Sequence, residues 1–147
     1  MKRIATLLSL VFILVSVSFA SETDKQLANL NPAGDEKIII EAADWAAEKK
    51  EKKALDSLIV LAADSRDMVR LHSVMALGYI GEEKAVEVLN KAVLSDTNPT
   101  VRYAAVLATL RIGSKKSIPV WQQAKESETD PFIKDFLSKM DEKAKGK

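Results

Sequence analysis

Charged residues that recur at a fixed spacing are the first candidates for chemistry. Asp64 precedes Arg70 by six residues, and Asp96 precedes Arg102 by the same six, one pair lying 32 positions after the other. Two arginines in register could hold an anion, because a guanidinium grips carboxylate or phosphate in a bidentate fork. His72 is the only histidine and cysteine is absent. A catalytic zinc or iron site takes two or more imidazoles in defined geometry, so His72 reads as a helix-face residue rather than a ligand. Without cysteine, no thiolate chemistry and no disulfide is open to the chain. Close carboxylates occur at Glu82-Glu83 and at Glu126 with Glu128. A general acid–base pair needs a cleft and a displaced pKa. At helix starts and polar turns these acids read instead as solvated groups that complement the helix dipole. No serine stands in a recognisable nucleophile motif. The expectation is a chain without catalytic residues, metal or cofactor.

The elements that position these residues repeat with them. Asp64-Ser65-Arg66-Asp67-Met68-Val69-Arg70 is echoed by Asp96-Thr97-Asn98-Pro99-Thr100-Val101-Arg102. Ala76, Ile80 and Gly81 return as Ala108, Ile112 and Gly113. Val86, Leu89 and Ala92 return as Ile118, Trp121 and Ala124, and Asp130-Pro131-Phe132 arrives at the same step. A fixed period of this length marks a solenoid of stacked helix pairs. Helix pairs are expected at 36–50 with 52–63, 67–80 with 83–94, and 99–112 with 116–126, followed by a lone helix at 131–143. Asn98 and Asp130 can cap helix N-termini, each with proline at the first helical position. Gly81 and Gly113 fall just past helix ends, where a left-handed residue closes the last carbonyls. The first repeat is the degenerate copy, with Lys49 and Lys50 where the others carry Ile and Gly. Ile133, Phe136, Leu137 and Met140 form one apolar stripe on the last helix, with a polar face opposite. A helix of that kind suits the end of a solenoid, whose outer face meets water. Small residues at Ala76 and Ala108 predict close approach of neighbouring helices. The fold class expected is all-α, a short right-handed superhelical solenoid of about three helix pairs with a C-terminal capping helix.

Composition bounds the rest. Lys2 and Arg3, the apolar run from Ile4 to Val17 and the close Ser18-Phe19-Ala20 read as an export signal over residues 1–20. The run is shorter than the roughly 20 residues that span a bilayer, and no cysteine near the junction offers a lipoprotein anchor. A periplasmic or secreted protein with no membrane span after cleavage follows. The 22 basic and 21 acidic residues become 20 and 21 once Lys2 and Arg3 are removed, a net charge of −1. Nucleic-acid binders usually carry a basic excess, so DNA and RNA are not expected partners. Residues 21–35 are polar, with Asn31-Pro32-Ala33-Gly34 as a breaker, and read as a flexible lead-in. Residues 144–147 read as a frayed tail.

The residues Asp64, Val69-Arg70, Ala76-Leu77-Gly78 and Ile80-Gly81, with Asp96, Val101-Arg102, Ala108 and Ile112-Gly113, resemble the HEAT-repeat family, in its short bacterial form related to bilin-lyase-type repeats. The resemblance covers roughly residues 36–143. It implies that Asp64 and Asp96 cap turns while Arg70 and Arg102 bond across stacked repeats as a structural ladder. It implies a protein-binding scaffold more than an enzyme, because such solenoids serve mostly as binding surfaces. Some helical-repeat relatives are iron-dependent hydroxylases that use several His-Glu pairs. Here Ser73 follows His72 and no His-Glu pair occurs, which leaves a hydroxylase-like or lyase-like role as the alternative. A structural accessory subunit of an envelope complex is a third possibility.

A scaffold needs a surface. The second helices of the pairs are expected to line the concave face, with Asp56, Ile59 and Val60, then Glu87, Asn90 and Lys91, then Pro119, Gln122 and Gln123 pointing outward. Ile59 and Val60 stand out, because outward positions are ordinarily polar. They are either covered by Leu27 and Leu30 of the lead-in or form the apolar end of a site for another protein or peptide. Ile59, Val60, Glu87, Asn90, Lys91, Gln122 and Gln123 are therefore the candidate partner-binding residues. Trp45 and Trp121 read as core.

Overall fold

The computed structural model describes residues 22–145, so residues 1–20, where an export signal is expected, lie outside the described residues. Helix α1 covers residues 22–29. It is followed by α2 (Glu36–Lys49), α3 (Leu55–Leu61), α4 (Asp67–Ile80), α5 (Val86–Ser95), α6 (Pro99–Ile112), α7 (Ile118–Ser127) and α8 (Pro131–Lys145). The first turns of the second helices, at Lys52–Ala54, Glu83–Ala85 and Lys115–Ser117, are 3₁₀. The described residues contain no strand. Two layers result. The first helices α2, α4 and α6 stack on one another, and the second helices α3, α5 and α7 lie beneath them. Helix α8 closes the stack against α7.

Local chemistry explains the boundaries. Asp35 Oδ1 accepts from the Lys37 and Ile38 amides at the start of α2. Asn98 Oδ1 accepts from Thr100 at 2.8 Å, and Asp130 Oδ1 from Phe132 and Ile133. Each satisfies amides that the helix itself cannot. Gly81 (φ 80°) and Gly113 (φ 73°) end α4 and α6 in the left-handed region. Lys50 holds the matching place after α2 at φ 49°, a conformation that costs a residue with a Cβ about 1 kcal/mol or more.

The core is one continuous cluster along the stack, from Leu30 and Ile39 through Leu58, Leu77 and Leu89 to Val106, Ile133 and Leu137. The segment expected to be a flexible lead-in is ordered by that core. It is helical over residues 22–29, Leu30 is buried, and Leu27 packs on the same cluster. Helix α8 extends to Lys145, past the expected end at 143.

The close helix approach is set by Gly78 rather than by Ala76. A Cβ on Gly78 would lie 2.6 Å from the Ala108 Cβ and 2.7 Å from its Cα. Backbone meets backbone there, so no rotamer change on either side relieves the overlap. Gly78→Ala should therefore destabilise the fold by about 1–3 kcal/mol, although alanine is the better helix former by about 1 kcal/mol. Urea melts of the variant check this, and an unchanged midpoint would show that α4 and α6 are not held at that spacing.

Candidate functional site

The repeated Asp and Arg residues come together at the edge where each second helix hands over to the next first helix. Arg70 Nε and Nη2 donate to Asp96 Oδ2 and Oδ1 at 2.8 and 3.0 Å, a bidentate pair between consecutive repeats. Its Nη1 donates to the Asp64 and Ser65 carbonyls, and Nη2 also reaches Asp67. One repeat later, Arg102 Nε and Nη2 grip Glu128 Oε2 and Oε1 at 2.9 and 2.7 Å, while Nη1 donates to the Asp96 carbonyl. The acids also shape their turns. Asp64 accepts from the Arg66 amide, Asp96 from Asn98, and Glu128 from Thr129 and Asp130.

Arg70 thus spends all five of its N–H donors on the protein itself, leaving none for a bound anion. The ladder is structural chemistry. Desolvation is met by paired charge and by hydrogen bonds at both ends, the condition under which buried ions are tolerated. The Arg102 guanidinium holds the Glu128 carboxyl below its usual 4.5, against the opposing effect of burial, with the Asp130 and Thr129 amides helping. Arg66 does the same for Asp64.

Two members of the ladder differ from the sequence reading. Glu128 is not a solvated acid, since its side chain is 3 % exposed and occupies the rung's acceptor position. Its place 32 residues after Asp96 carried the signal. Asp64 has no arginine of an earlier repeat to receive. Arg66 substitutes, binding both Asp64 oxygens and donating to the Pro32 and Gly34 carbonyls of the lead-in. That role displaces the capping side chain that Asn98 and Asp130 supply in the matching position, and α4 has no side-chain cap.

The surface candidates separate in the structure. Val60 is 59 % exposed, so Leu27 and Leu30 do not cover it. Ile59 is only partly exposed and packs on the core. Glu87, Lys91, Gln122 and Gln123 are exposed. Asn90 is committed internally, because its Oδ1 accepts from Ser117 Oγ at 2.8 Å and ties α5 to the next turn. A groove of about 130 Å³ lies beside the first rung, lined by Ala62, Arg70, Val88, Lys91 and Asp96. A second, of about 220 Å³, lies beside the next rung, lined by Ser95, Arg102, Ser127 and Glu128.

The remaining chemical candidates have ordinary partners. His72 Nδ1 lies 2.6 Å from Asp44 Oδ1 across α2 and α4. Among the described residues, no cluster of three or more histidines and carboxylates is placed to hold a metal. Trp121 donates Nε1–H to the buried Thr109 hydroxyl at 2.9 Å, and Trp45 packs on the core.

Stacked helix pairs joined by arginine–carboxylate rungs define an α-solenoid of helical repeats. A sequence model described as HEAT repeats matches residues 23–109 and, overlapping, 61–135. The chain belongs to the HEAT-repeat family, a family of helical-repeat scaffolds for protein interaction. No curated protein matches the chain.

The rungs make a sharp prediction. Arg102→Ala should cost about 3 kcal/mol at neutral pH, because it leaves the buried Glu128 carboxylate without its counter-charge. The folded carboxyl's pKa lies below the unfolded one, so its stabilisation is complete above about pH 4.5. It fades as the pH falls through the lower folded value. Without Arg102 that acid sensitivity goes. Denaturant melts from pH 7 to pH 3 should show the gap between wild type and variant narrowing on the acid side. A constant gap would mean that Glu128 carries no charge-dependent stability.

Proposed function

We propose that the protein is an exported, non-catalytic module that binds another protein or peptide on the face formed by α3, α5 and α7. The observation that carries this reading is Val60, 59 % exposed on a face whose outward residues Asp56, Glu87, Lys91, Gln122 and Gln123 are polar. It lies on the helix preceding the groove that Arg70, Val88 and Lys91 line. An apolar anchor of a partner would bury against Val60, and Lys91, Gln122 and Gln123 would hydrogen-bond along the rest of the segment. Extended faces of stacked repeats suit elongated partners of this kind. The family match supports a scaffold, and the repeated Asp, Glu and Arg residues of the ladder are occupied with internal pairing. Export rests on residues 1–20 and is checked by the mature N-terminus, expected at Ser21.

One observation favours a second face. Met68 and Met75 are exposed on the outer side of α4, on the same stripe as His72 and Tyr79, and methionines adapt readily to varied partners.

Paired variants separate the two. Val60→Asp should lower the affinity for partners captured from an envelope extract at least tenfold with the helical signal unchanged, the scale of a hot-spot anchor. Met75→Asp should leave that affinity as it was. The reverse pattern moves the site to the outer face of α4.

A further inference from the structure

The turns that join the first and second helix of each pair lie along one edge of the solenoid. Cross-links between successive turns place them side by side: Lys52 with Glu82, Lys84 with Asp56, Lys116 with Glu83, and Ser114 with Glu83. This edge is basic although the chain as a whole is close to neutral. From Glu48 to Asp56, Glu82 to Lys84 and Arg111 to Lys116, eight basic side chains face five acidic ones. The pairs just named absorb Lys52, Lys84 and Lys116, and Lys49 pairs with Glu48. Lys50, Lys53 and Lys115 are exposed and have no acidic partner among the described residues.

Lys50 is the informative one. The two later repeats put Gly81 and Gly113 at its position, as the left-handed backbone there favours. The first repeat keeps a lysine in that conformation, at the rim of the edge, and an observed backbone outlier of this kind points towards function. A lysine also complements the carbonyl end of α2, so the competing explanation is purely local. Two more features belong to the same edge. Tyr79, near the end of α4, is exposed beneath the Arg111 guanidinium, which sits 4.1 Å from its ring centre. Ile118, at the start of α7 beside Lys115 and Lys116, is exposed as well.

We propose that this edge rests on an anionic phospholipid surface, with Lys50, Lys53 and Lys115 near the headgroups and Tyr79 and Ile118 at the interface. The free cations lie at the first and third turns rather than gathered in a pocket, which suits an extended surface of many equivalent charges. Lysines near such a surface each add to the attraction, and amphipathic or apolar tips beside them enter the boundary layer. The opposite edge of a second copy is the weaker occupant. Its ladder acids Asp64, Asp96 and Glu128 are already paired with arginines.

The test is co-sedimentation with vesicles, using the full chain expressed with its own leader and purified in the processed form the cell yields. Binding is expected to vesicles of phosphatidylglycerol mixed with phosphatidylcholine, not to phosphatidylcholine alone, and to fade as salt is raised to about 0.5 M. Lys53→Glu and Lys115→Glu should each weaken binding about fivefold or more. Lys50→Gly should weaken it about fivefold while raising the melting midpoint by roughly 2–4 °C, a combination that a local helix-end role does not produce. A Lys50→Gly protein that binds vesicles like the wild type overturns the proposal, as does equal binding to neutral vesicles. Binding to soluble polyglutamate but not to vesicles assigns the edge to an acidic protein segment instead. Self-association at low salt without vesicle binding assigns it to a second copy.

Discussion

The fold depends on getting guanidinium and carboxylate groups out of water in matched pairs. A helix pair cannot bury its apolar faces alone, so each repeat must lie on the next. At the edge where they meet, the turn leaves unbonded carbonyls and amides. An acid at the turn takes the amides and an arginine from the preceding repeat takes both the acid and its own turn's carbonyls. Arg70 with Asp96 and Arg102 with Glu128 satisfy that requirement with little exposed charge. The arrangement adds direction as much as energy. A buried pair often gains little over apolar packing, but one partner left alone is costly. Slipping the repeats by one helical turn would separate every guanidinium from its acid, so the rungs enforce the register that the apolar faces by themselves would leave loose.

The ends of the stack follow from the same constraint. At the first repeat no arginine arrives from an earlier copy, and Asp64 would be stranded. Arg66 meets it from within the same turn and continues to the lead-in carbonyls of Pro32 and Gly34. That clamp, with Leu30 buried beneath, converts a polar segment into part of the domain. At the other end Lys134 stands at the arginine position, exposed, with no later repeat among the described residues to bring it a turn acid. The ladder stops where α8 turns its charged face to water, and Tyr103 stacks edge-on against Phe132 and Phe136 to seal the last interface.

A scaffold built this way has two kinds of surface. The ladder edge is chemically saturated and offers a partner little. The faces and the opposite edge are held rigidly by the core but carry groups with no internal task, among them Val60, Lys91, Lys50 and Lys53. In the proposed function recognition falls to those groups, because their geometry is set by the solenoid while their side chains are free of internal pairing.

Most of the architecture was legible in the chain because it rests on local and periodic information. The 32-residue echo, the Asn98-Pro99 and Asp130-Pro131 starts and the Gly81 and Gly113 stops each encode an element within a few residues of sequence, and the helices lie where those signals put them. The partners of charged residues were less legible. Glu128 shares its spacing with Asp64 and Asp96, but a longer side chain beside Glu126 in a polar turn looks solvated until Arg102 is brought to it from 26 positions away. Arg66 disguised its role by occupying a capping position. The closest approach of α4 and α6 falls at Gly78, because crossing points depend on how whole helices tilt, not on which small residue recurs. Sequence alone determined the class of fold, the capped helix starts and glycine stops of the repeats, and the repeat that carries the ladder, since hydrophobic period and cap chemistry act over a single turn or helix. Only the tertiary structure decided which carboxylate each arginine meets, that the lead-in joins the core and that Val60 rather than Ile59 faces solvent. Those outcomes depend on the relative placement of helices that are distant in sequence.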